Sequence, residues 1–189
     1  MDISGLKDDN EILNGCLNGS QQAQRWLFDK YGARMLGICR RYCKNEDDAR
    51  DIMQDGFVKI FTKISDFKQN SSISTWMTSI MIFTSIDYLR KNSKLGIFQS
   101  VENMGEEFDY EDEQPLELKG ANLSHEQLLS IIDELPDGCK FVFNMYAIDG
   151  MQHKHIATQL GISEGTSKSQ LSRARKLLQE KIYSRHQVN

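Results

Sequence analysis

Residues 156–175 of the chain, IATQLGISEGTSKSQLSRAR, contain the pattern that decides the fold of its C-terminal part. The small Ala157 lets two helices cross closely, and Gly161 can take the left-handed conformation that ends a helix. Ile162 fills the corner between the helices, and Ser163 belongs to the residue types that cap a following helix. The segment therefore predicts a helix-turn-helix.

The second helix of this motif, from about Ser163 to Tyr183, carries polar and basic side chains near its N-terminus. Its apolar positions, Leu171, Ala174, Leu177 and Leu178, face the core. Polar side chains at the start of such a helix can reach base edges, and basic ones can reach phosphates. The candidate DNA-binding residues are Ser163, Thr166, Lys168, Ser169, Gln170, Arg173, Arg175 and Lys176. A helical hairpin with a solvated basic face is the alternative that this pattern leaves open.

Apolar periodicity and capping residues predict further helices in both the N-terminal and the C-terminal part of the chain. In the C-terminal part they cover about Ser124–Glu134, Pro136–Ile148 and Gln152–Leu160. In the N-terminal part they cover about Asp9–Leu17, Ser20–Cys43, Glu46–Ile64 and Ile73–Lys91. Gly56, on the inner stripe of the third helix, would let a neighbouring helix approach closely. The fourth helix is apolar nearly all round, so it is either buried or has a second apolar face that binds a partner.

The third helix also presents a small acidic patch. Asp51, Gln54 and Asp55 are spaced three and four residues apart, on the face opposite the core stripe. A solvated helix face is the plain interpretation of this patch taken alone.

A polar loop, an aromatic residue and bases surround the fourth helix. Such a combination suits single-stranded DNA, whose bases stack on aromatic rings while cations neutralise its phosphates. The candidate residues are Lys68, Gln69, Asn70, Ser72, Thr75, Trp76, Arg90 and Lys91. The alternative is a core tryptophan with cations that complement a helix C-terminus.

An acidic stretch separates the two helical parts. Between Gly96 and Gly120 there are eight acidic residues and one basic residue, Lys119. Because the whole chain has a net charge of −4, the remainder of the chain is mildly basic. We predict a flexible acidic linker over about 95–123. An acidic strip that follows a basic surface on a partner, or that masks the DNA-binding helix, is the functional alternative. The predicted fold class is all-α: two small helical domains joined by this linker, the C-terminal one a helix-turn-helix.

Composition argues against several classes of protein. Met1–Asn10 lacks the apolar core of a signal peptide, and no apolar run is long enough to span a membrane, which predicts a cytoplasmic protein. Cys39 and Cys43 have no further ligands at metal-site spacing, so we expect reduced, packed cysteines and no metal. No nucleophile motif, phosphate loop or paired carboxylates occur, which predicts a protein that is not an enzyme and needs no cofactor.

Three motifs in one order resemble bacterial RNA polymerase sigma factors of the extracytoplasmic-function group. Residues 48–57, DARDIMQDGF, resemble the core-binding helix of region 2. Residues 75–77, TWM, and 86–91, IDYLRK, resemble the promoter-melting helix. Leu135-Pro136 and the stretch GTSKSQLSRAR at 165–175 resemble region 4. The resemblance covers nearly the whole chain except the linker.

The resemblance implies a role for each constellation. Asp51, Gln54 and Asp55 would meet the clamp helices of the largest polymerase subunit, and region 4 would also contact the flap of the beta subunit. The loop from Lys68 to Ser72 would capture a flipped base of the minus-ten element. The helix from Ser163 would contact the minus-thirty-five element. The implied partners are core RNA polymerase, promoter DNA in duplex and melted form, and an anti-sigma factor or other recruiting protein.

The sequence departs from the family at four positions. Ile82 and Phe83 stand where a polar or basic pair is frequent, Ser167 where a valine-like residue is usual, and Gln170 where arginine is frequent. An apolar residue at the first two positions weakens polar contact with the melted strand, and each change at Ser167 and Gln170 removes either packing or positive charge from the DNA face. The four changes predict weak or unusual intrinsic promoter recognition that a recruiting protein would assist, since fewer phosphate contacts weaken DNA binding. Strong specific transcription from a short promoter with core polymerase alone would contradict this hypothesis.

The resemblance divides the chain into three parts: region 2 at 1–94, the acidic linker at 95–123 and region 4 at 124–189. Two alternatives remain at this point. One is a stand-alone helix-turn-helix regulator that binds duplex DNA without polymerase. The other is a sigma mimic that holds a regulator and ignores promoters.

Overall fold

The computed structural model describes residues 8–43, 45–92 and 124–186, and every regular element in these ranges is helical. The all-α prediction is therefore confirmed. The chain forms two compact units, within residues 1–92 and within residues 93–189, and each is described by itself. The segment predicted as an acidic linker, 95–123, lies outside the described residues.

The part of unit 1 that the structure describes has four α-helices and one short 3-10 turn. They are α1 (Asp9–Leu17), α2 (Gln21–Arg40), α3 (Glu46–Lys63), the 3-10 turn (Ile64–Asp66) and α4 (Ile73–Asn92). Asp8, Ser20 and Asn45 cap the first three helices, each accepting a hydrogen bond from a backbone N–H three residues on. The predicted second helix is too long, because α2 ends at Arg40 and a turn follows before Cys43.

The core of unit 1 forms where α2, α3 and α4 pack on one another. Met35, Ile52, Ile60 and Met77 are fully buried there. Met81 of α4 lies against Gly56 of α3 so closely that a Cβ at Gly56 would overlap its sulfur atom. The predicted close approach at Gly56 is therefore confirmed, and it explains why α4 is apolar on more than one side: two helices cover it.

A second close approach joins α1 to α2 and gives a stability prediction. A Cβ at Gly15 would lie 2.5 Å from the Cβ of Ala23, an atom that no side-chain rotation can move. We expect Gly15→Ala to lower the free energy of unfolding by about 1–3 kcal/mol, because the two helices must separate. Gly37→Ala is the matched control: its Cβ would meet nothing within 4 Å, and we expect a gain of about 0.5–1 kcal/mol from the lower entropy of the unfolded chain. Urea denaturation of both variants measures the difference, and equal stabilities would contradict the assigned packing.

In unit 2, the described residues form four α-helices and a π-helical turn. They are α5 (His125–Asp133), α6 (Asp137–Phe143), the π-helical turn (Asn144–Ile148), α7 (His153–Leu160) and α8 (Glu164–His186). Ser124 and Gln127 form a capping box at the start of α5. The prediction of one regular helix from Pro136 to Ile148 is wrong in its second part, where the π-helical turn widens the helix.

Helix α8 organises unit 2, because α5, α6 and α7 each pack against it. Ile131, Val142, Ile156 and Leu178 are buried in the shared core. Toward its C-terminus α8 is tied to the end of α5, where Glu134 accepts hydrogen bonds from Lys181 and Arg185. These two cations, Lys181 first, lower the pKa of the Glu134 carboxyl.

Two sequence predictions concern the cysteines, expected to be reduced and packed, and the apolar runs, expected to be too short to span a membrane. All four cysteines are free thiols, and Cys16, Cys39 and Cys139 are buried. Burial raises the pKa of Cys39 to about 11, as expected for a cysteine that packs as a small hydrophobic residue. Within the described ranges, no helix has the length and apolar character that crossing a bilayer requires.

Candidate polymerase and nucleic-acid interfaces

The acidic face of α3, defined by Asp51, Gln54 and Asp55, lies fully on the surface of unit 1. All three side chains are exposed, whereas their neighbours Ile52 and Met53 are buried. Val58 continues the same row and is 61% exposed, an apolar residue that the sequence analysis did not include. Its spacing of three residues from Asp55 is the signal that would have placed it there.

A hydrogen bond from α4 holds the N-terminus of α3 in place. The Tyr88 hydroxyl donates to Oδ1 of Asp48 at 2.7 Å, and this bond, together with burial, raises the pKa of Tyr88 to about 12. Asp48 also accepts a 2.9 Å hydrogen bond from the side-chain amide of Asn45, the N-cap residue. The acidic face therefore begins one helical turn after Asp48, the residue through which α3 is hydrogen-bonded to α4.

The loop before α4 is exposed and has an unusual backbone at its centre. Lys68, Gln69 and Asn70 are exposed. The backbone of Gln69 has a φ of 56°, a value that residues other than glycine rarely adopt. Such conformations persist where the surrounding structure holds them, and they are frequent at ligand-binding positions. The loop thus presents two neighbouring amide side chains, those of Gln69 and Asn70, on the surface of unit 1.

Side chains at the start of α4 anchor this loop. The Ser72 hydroxyl accepts a hydrogen bond from the backbone N–H of Thr75 at 3.1 Å, and the two hydroxyls lie 2.8 Å apart. Trp76 is half-buried and contacts Phe67, with their ring centroids 5.3 Å apart. Phe67 is a residue that the sequence analysis missed. The structure therefore brings Lys68, Gln69, Asn70, Ser72, Thr75 and Trp76 into one surface region.

Two of the predicted bases lie elsewhere on α4. Arg90 and Lys91 are exposed in its last turn, about 20 Å along the helix axis from Thr75 by the rise of an α-helix. Arg90 lies 3.9 Å from Asp87, which also lies 3.5 Å from Lys59 of α3. These bases and the loop can contact one DNA strand only if that strand runs along α4.

The two residues of α4 that depart from the family pattern, Ile82 and Phe83, differ in burial. Ile82 is only 2% exposed and belongs to the core, whereas Phe83 is half-buried. The interpretation that Ile82 removes a polar contact with melted DNA is wrong, because its side chain faces the protein interior.

The predicted helix-turn-helix is present in unit 2. Gly161 ends α7 with a φ of 69°, in the left-handed region, and the N–H of Ile162 donates to the carbonyl of Ala157 at 3.1 Å. Ser163 caps α8 by accepting a hydrogen bond from the N–H of Thr166 at 2.9 Å. The hydroxyls of Ser163 and Thr166 lie 2.8 Å apart, the same pairing that Ser72 and Thr75 make at the start of α4.

Most of the predicted DNA-binding side chains of α8 lie on its outer surface. Lys168 and Lys176 are exposed, and Lys168 pairs with Glu164 across one turn at 3.3 Å. Ser169 is half-buried, and its hydroxyl donates to the carbonyls of Gly165 and Thr166. Arg173 and Arg175 are half-buried. The guanidinium of Arg175 lies 6.0 Å from the ring centroid of Tyr146, an exposed residue of the π-helical turn.

Gln170 is the exception, and its assignment as a DNA contact is corrected. Its side chain is only 8% exposed and accepts a hydrogen bond from the thiol of Cys139 at 2.9 Å. Ser167 is likewise fully buried, with its hydroxyl 2.9 Å from Nδ1 of His153. The departures at Ser167 and Gln170 therefore change the interior of unit 2 rather than the charge of its DNA face, and they remove no phosphate contact that would weaken promoter recognition.

No group of three or more metal-ligating side chains occurs within the described parts of the chain.

Comparison with known proteins identifies the two units. Residues 27–95 match the family model for sigma-70 region 2, and residues 125–178 match the model for sigma-70 region 4. The chain belongs to the sigma-70 family. Its sigma factor relatives include the extracytoplasmic-function sigma-E factor of Haemophilus influenzae, 24% identical over 92% of this chain and 95% of that protein. The sigma-H factor of Pseudomonas aeruginosa is 23% identical over 93% of this chain and 94% of that protein.

Two solved structures share the fold. CnrH in complex with the cytosolic domain of CnrY is 21% identical, with a TM-score of 0.52, and the match covers 93% of this chain and 97% of CnrH. The sigma factor RpoE of Bartonella quintana, in complex with the anti-sigma factor NepR, is 20% identical with a TM-score of 0.51, over 82% of this chain and 94% of RpoE. The region 2 match contradicts the alternative of a stand-alone regulator, and the relatives that span nearly the whole chain place this sigma factor in the extracytoplasmic-function group.

Proposed function

We propose that this sigma factor binds core RNA polymerase and directs it to specific promoters. The observation that carries the proposal is the occurrence of regions 2 and 4 in one chain and in the family's order. We propose region 2 at 1–94, a connecting acidic segment at 95–123 and region 4 at 124–189 as its functional parts.

Polymerase binding is assigned to the acidic face of α3. Its exposed carboxylates suit a basic partner surface. The family resemblance suggests that this surface is the clamp helices of the largest polymerase subunit. Val58 adds apolar area that becomes buried in such a contact. We assign a second contact, with the flap of the beta subunit, to region 4.

Promoter opening is assigned to α4 and the loop before it. Gln69 and Asn70 offer amide groups that can hydrogen-bond the edge of an extruded base. Trp76 offers a ring for stacking, and Arg90 and Lys91 offer charge to the backbone of the same strand.

Upstream recognition is assigned to the outer surface of α8. Thr166, Lys168 and Ser169 lie in its first two turns, where a helix in the major groove meets base edges. Arg173, Arg175 and Lys176 then contact phosphates, and Ser163 contributes at the N-terminus, where backbone N–H groups favour phosphate.

Regulation by a protein inhibitor is part of the proposal. One of the two structural relatives is held by an anti-sigma factor, and we propose an anti-sigma factor or a similar regulatory protein for this chain. We further propose that the factor has no catalytic activity of its own, since RNA synthesis belongs to the polymerase, and that it acts in the cytoplasm where polymerase works.

The test is selection from a pool of random duplexes by the full chain, with and without core RNA polymerase. A sigma factor enriches a two-part sequence only when core polymerase is present. Equal enrichment without polymerase would favour a stand-alone regulator, and binding of core polymerase without any enrichment would favour a sigma mimic.

A charge prediction follows for α8. We expect Lys176→Ala to weaken binding to all duplexes by a similar factor and to reduce the slope of log Kd against log salt concentration by about 0.9, the value of one lost phosphate contact. The matched control is Lys181→Ala, because Lys181 lies near the C-terminal end of α8, outside the residues assigned to DNA, and pairs there with Glu134 at 2.7 Å. Fluorescence anisotropy over a series of salt concentrations measures both slopes. A Lys176→Ala slope equal to that of the unsubstituted chain would remove Lys176 from the DNA face.

A further inference from the structure

We propose that Ser167 and Gln170 are positioning residues that fix the rotation of α8 about its axis and thereby determine which bases its outer side chains contact. The inference rests on the proposed function of α8 in reading duplex DNA. It concerns residues that face away from the DNA and that replace the family's usual side chains in this chain.

The buried stripe of α8 begins with these two polar residues. Ser167 and Gln170 are 0% and 8% exposed, and they continue the line of Leu171, Ala174 and Leu178 toward the N-terminus of the helix. Every later member of that stripe is apolar. The polar members lie beneath the turns that carry Lys168 and Ser169, which are the turns assigned to base contacts.

Each polar residue bonds to a different helix. Ser167 lies 2.9 Å from Nδ1 of His153, at the start of α7. Gln170 accepts from Cys139 of α6 at 2.9 Å. Burial raises the pKa of the Cys139 thiol to about 11, so the thiol keeps the proton that it donates. Helix α8 is therefore fixed at two points, three residues apart, against two neighbours.

The first of these partners is itself held in place. The imidazole of His153 stacks on the ring of Tyr146, with centroids 4.4 Å apart and ring planes inclined by 20°. Tyr146 belongs to the π-helical turn, whose wider backbone turn places this ring beside α7. Ser167 thus contacts an imidazole that is itself packed against an aromatic ring.

Hydrogen bonds fix a rotation that apolar packing leaves free. Apolar contacts are non-directional, whereas a hydrogen bond weakens steeply as its angle departs from linear. Turning a helix by about 20° moves the side chains on its surface by about 2 Å, given the dimensions of a helix. A displacement of that size breaks a base-edge hydrogen bond but leaves a flexible lysine within reach of a phosphate. Loss of these two bonds should therefore reduce sequence discrimination more than total affinity.

The experiment uses the full chain with core RNA polymerase and a pool of random duplexes. The variants are Gln170→Met, which keeps the length of the side chain but removes the acceptor, and Ser167→Ala. Cys139→Ser is the conservative control, since its hydroxyl still donates to Gln170. Circular dichroism reports the fold and thermal stability of each variant, and sequencing reports enrichment at the upstream and minus-ten elements separately.

The expected result is confined to the upstream element. Gln170→Met and Ser167→Ala should each lose about tenfold in preference for the selected upstream sequence over a scrambled one, within the range of a damaged base contact. Preference at the minus-ten element should remain, and Cys139→Ser should match the unsubstituted chain. Equal loss at both elements, or an unchanged upstream preference in both variants, would overturn the inference. An unsubstituted chain that binds polymerase and enriches no sequence would overturn the proposed function as well, which distinguishes the two failures.

Discussion

Asp51→Lys with Asp55→Lys is expected to abolish co-elution of this sigma factor with core RNA polymerase on a sizing column. Both carboxylates are exposed on α3, and neither has an ion pair among those identified in the described structure. Close charge pairs at protein interfaces contribute about 1.5–7 kcal/mol. Two reversals facing a basic surface should thus weaken binding by at least about a hundredfold. The fold should be preserved, because the substitutions lie opposite the core stripe.

A control of equal charge separates this effect from general electrostatics. Glu126→Lys with Glu180→Lys changes the net charge by the same amount at two exposed positions of unit 2. We expect this pair to co-elute normally. Co-elution of the Asp51 and Asp55 variant would show that these two carboxylates are not the principal contact, and the exposed Val58 on the same face of α3 would then be the next residue to substitute.

Ile82→Asn is expected to unfold unit 1 rather than to improve promoter melting. The family resemblance suggests a polar residue at this position, but the side chain is only 2% exposed. The change removes buried apolar atoms and places an amide in the core without an assured partner, which together cost about 3–5 kcal/mol. For a domain of this size the melting temperature should fall by more than about 10 °C, as thermal unfolding followed by circular dichroism would show.

Phe83→Asn is the matched variant on the same helix. Phe83 is half-buried, so we expect a smaller loss of stability and a retained fold. If Ile82→Asn instead melts at the temperature of the unsubstituted chain, α4 must be rotated relative to the arrangement described above.

The helices of unit 1 could be predicted closely from the sequence because their signals agree. Ser20 and Asn45 are strong capping residues, and apolar positions recur every three or four residues behind them. The exposure of Asp51, Gln54 and Asp55 followed from the same period. Gly56 was predicted as a contact point because a residue without a side chain lets a neighbouring helix approach closely.

The orientation of α8 shows where such reasoning fails. Gln170 and Ser167 lie four residues before Ala174 and Leu171, so the helical period already placed them on the buried stripe. Their polar character was given more weight than their position, because a buried polar side chain needs a partner that the sequence alone does not reveal. Those partners, Cys139 and His153, come from helices that are distant in the chain. The π-helical turn after Phe143 was missed for a related reason, since no residue type marks it.

The contact between Arg175 and Tyr146 affects the entropy of DNA binding. An arginine that is free in solution loses rotamer freedom when it contacts a phosphate, at a cost of about 0.5–1.5 kcal/mol. Arg175 already has its guanidinium over the Tyr146 ring, so folding has restricted part of that motion before DNA arrives. This sigma factor should therefore lose less conformational entropy at Arg175 on binding duplex DNA than a variant without the aromatic ring at Tyr146.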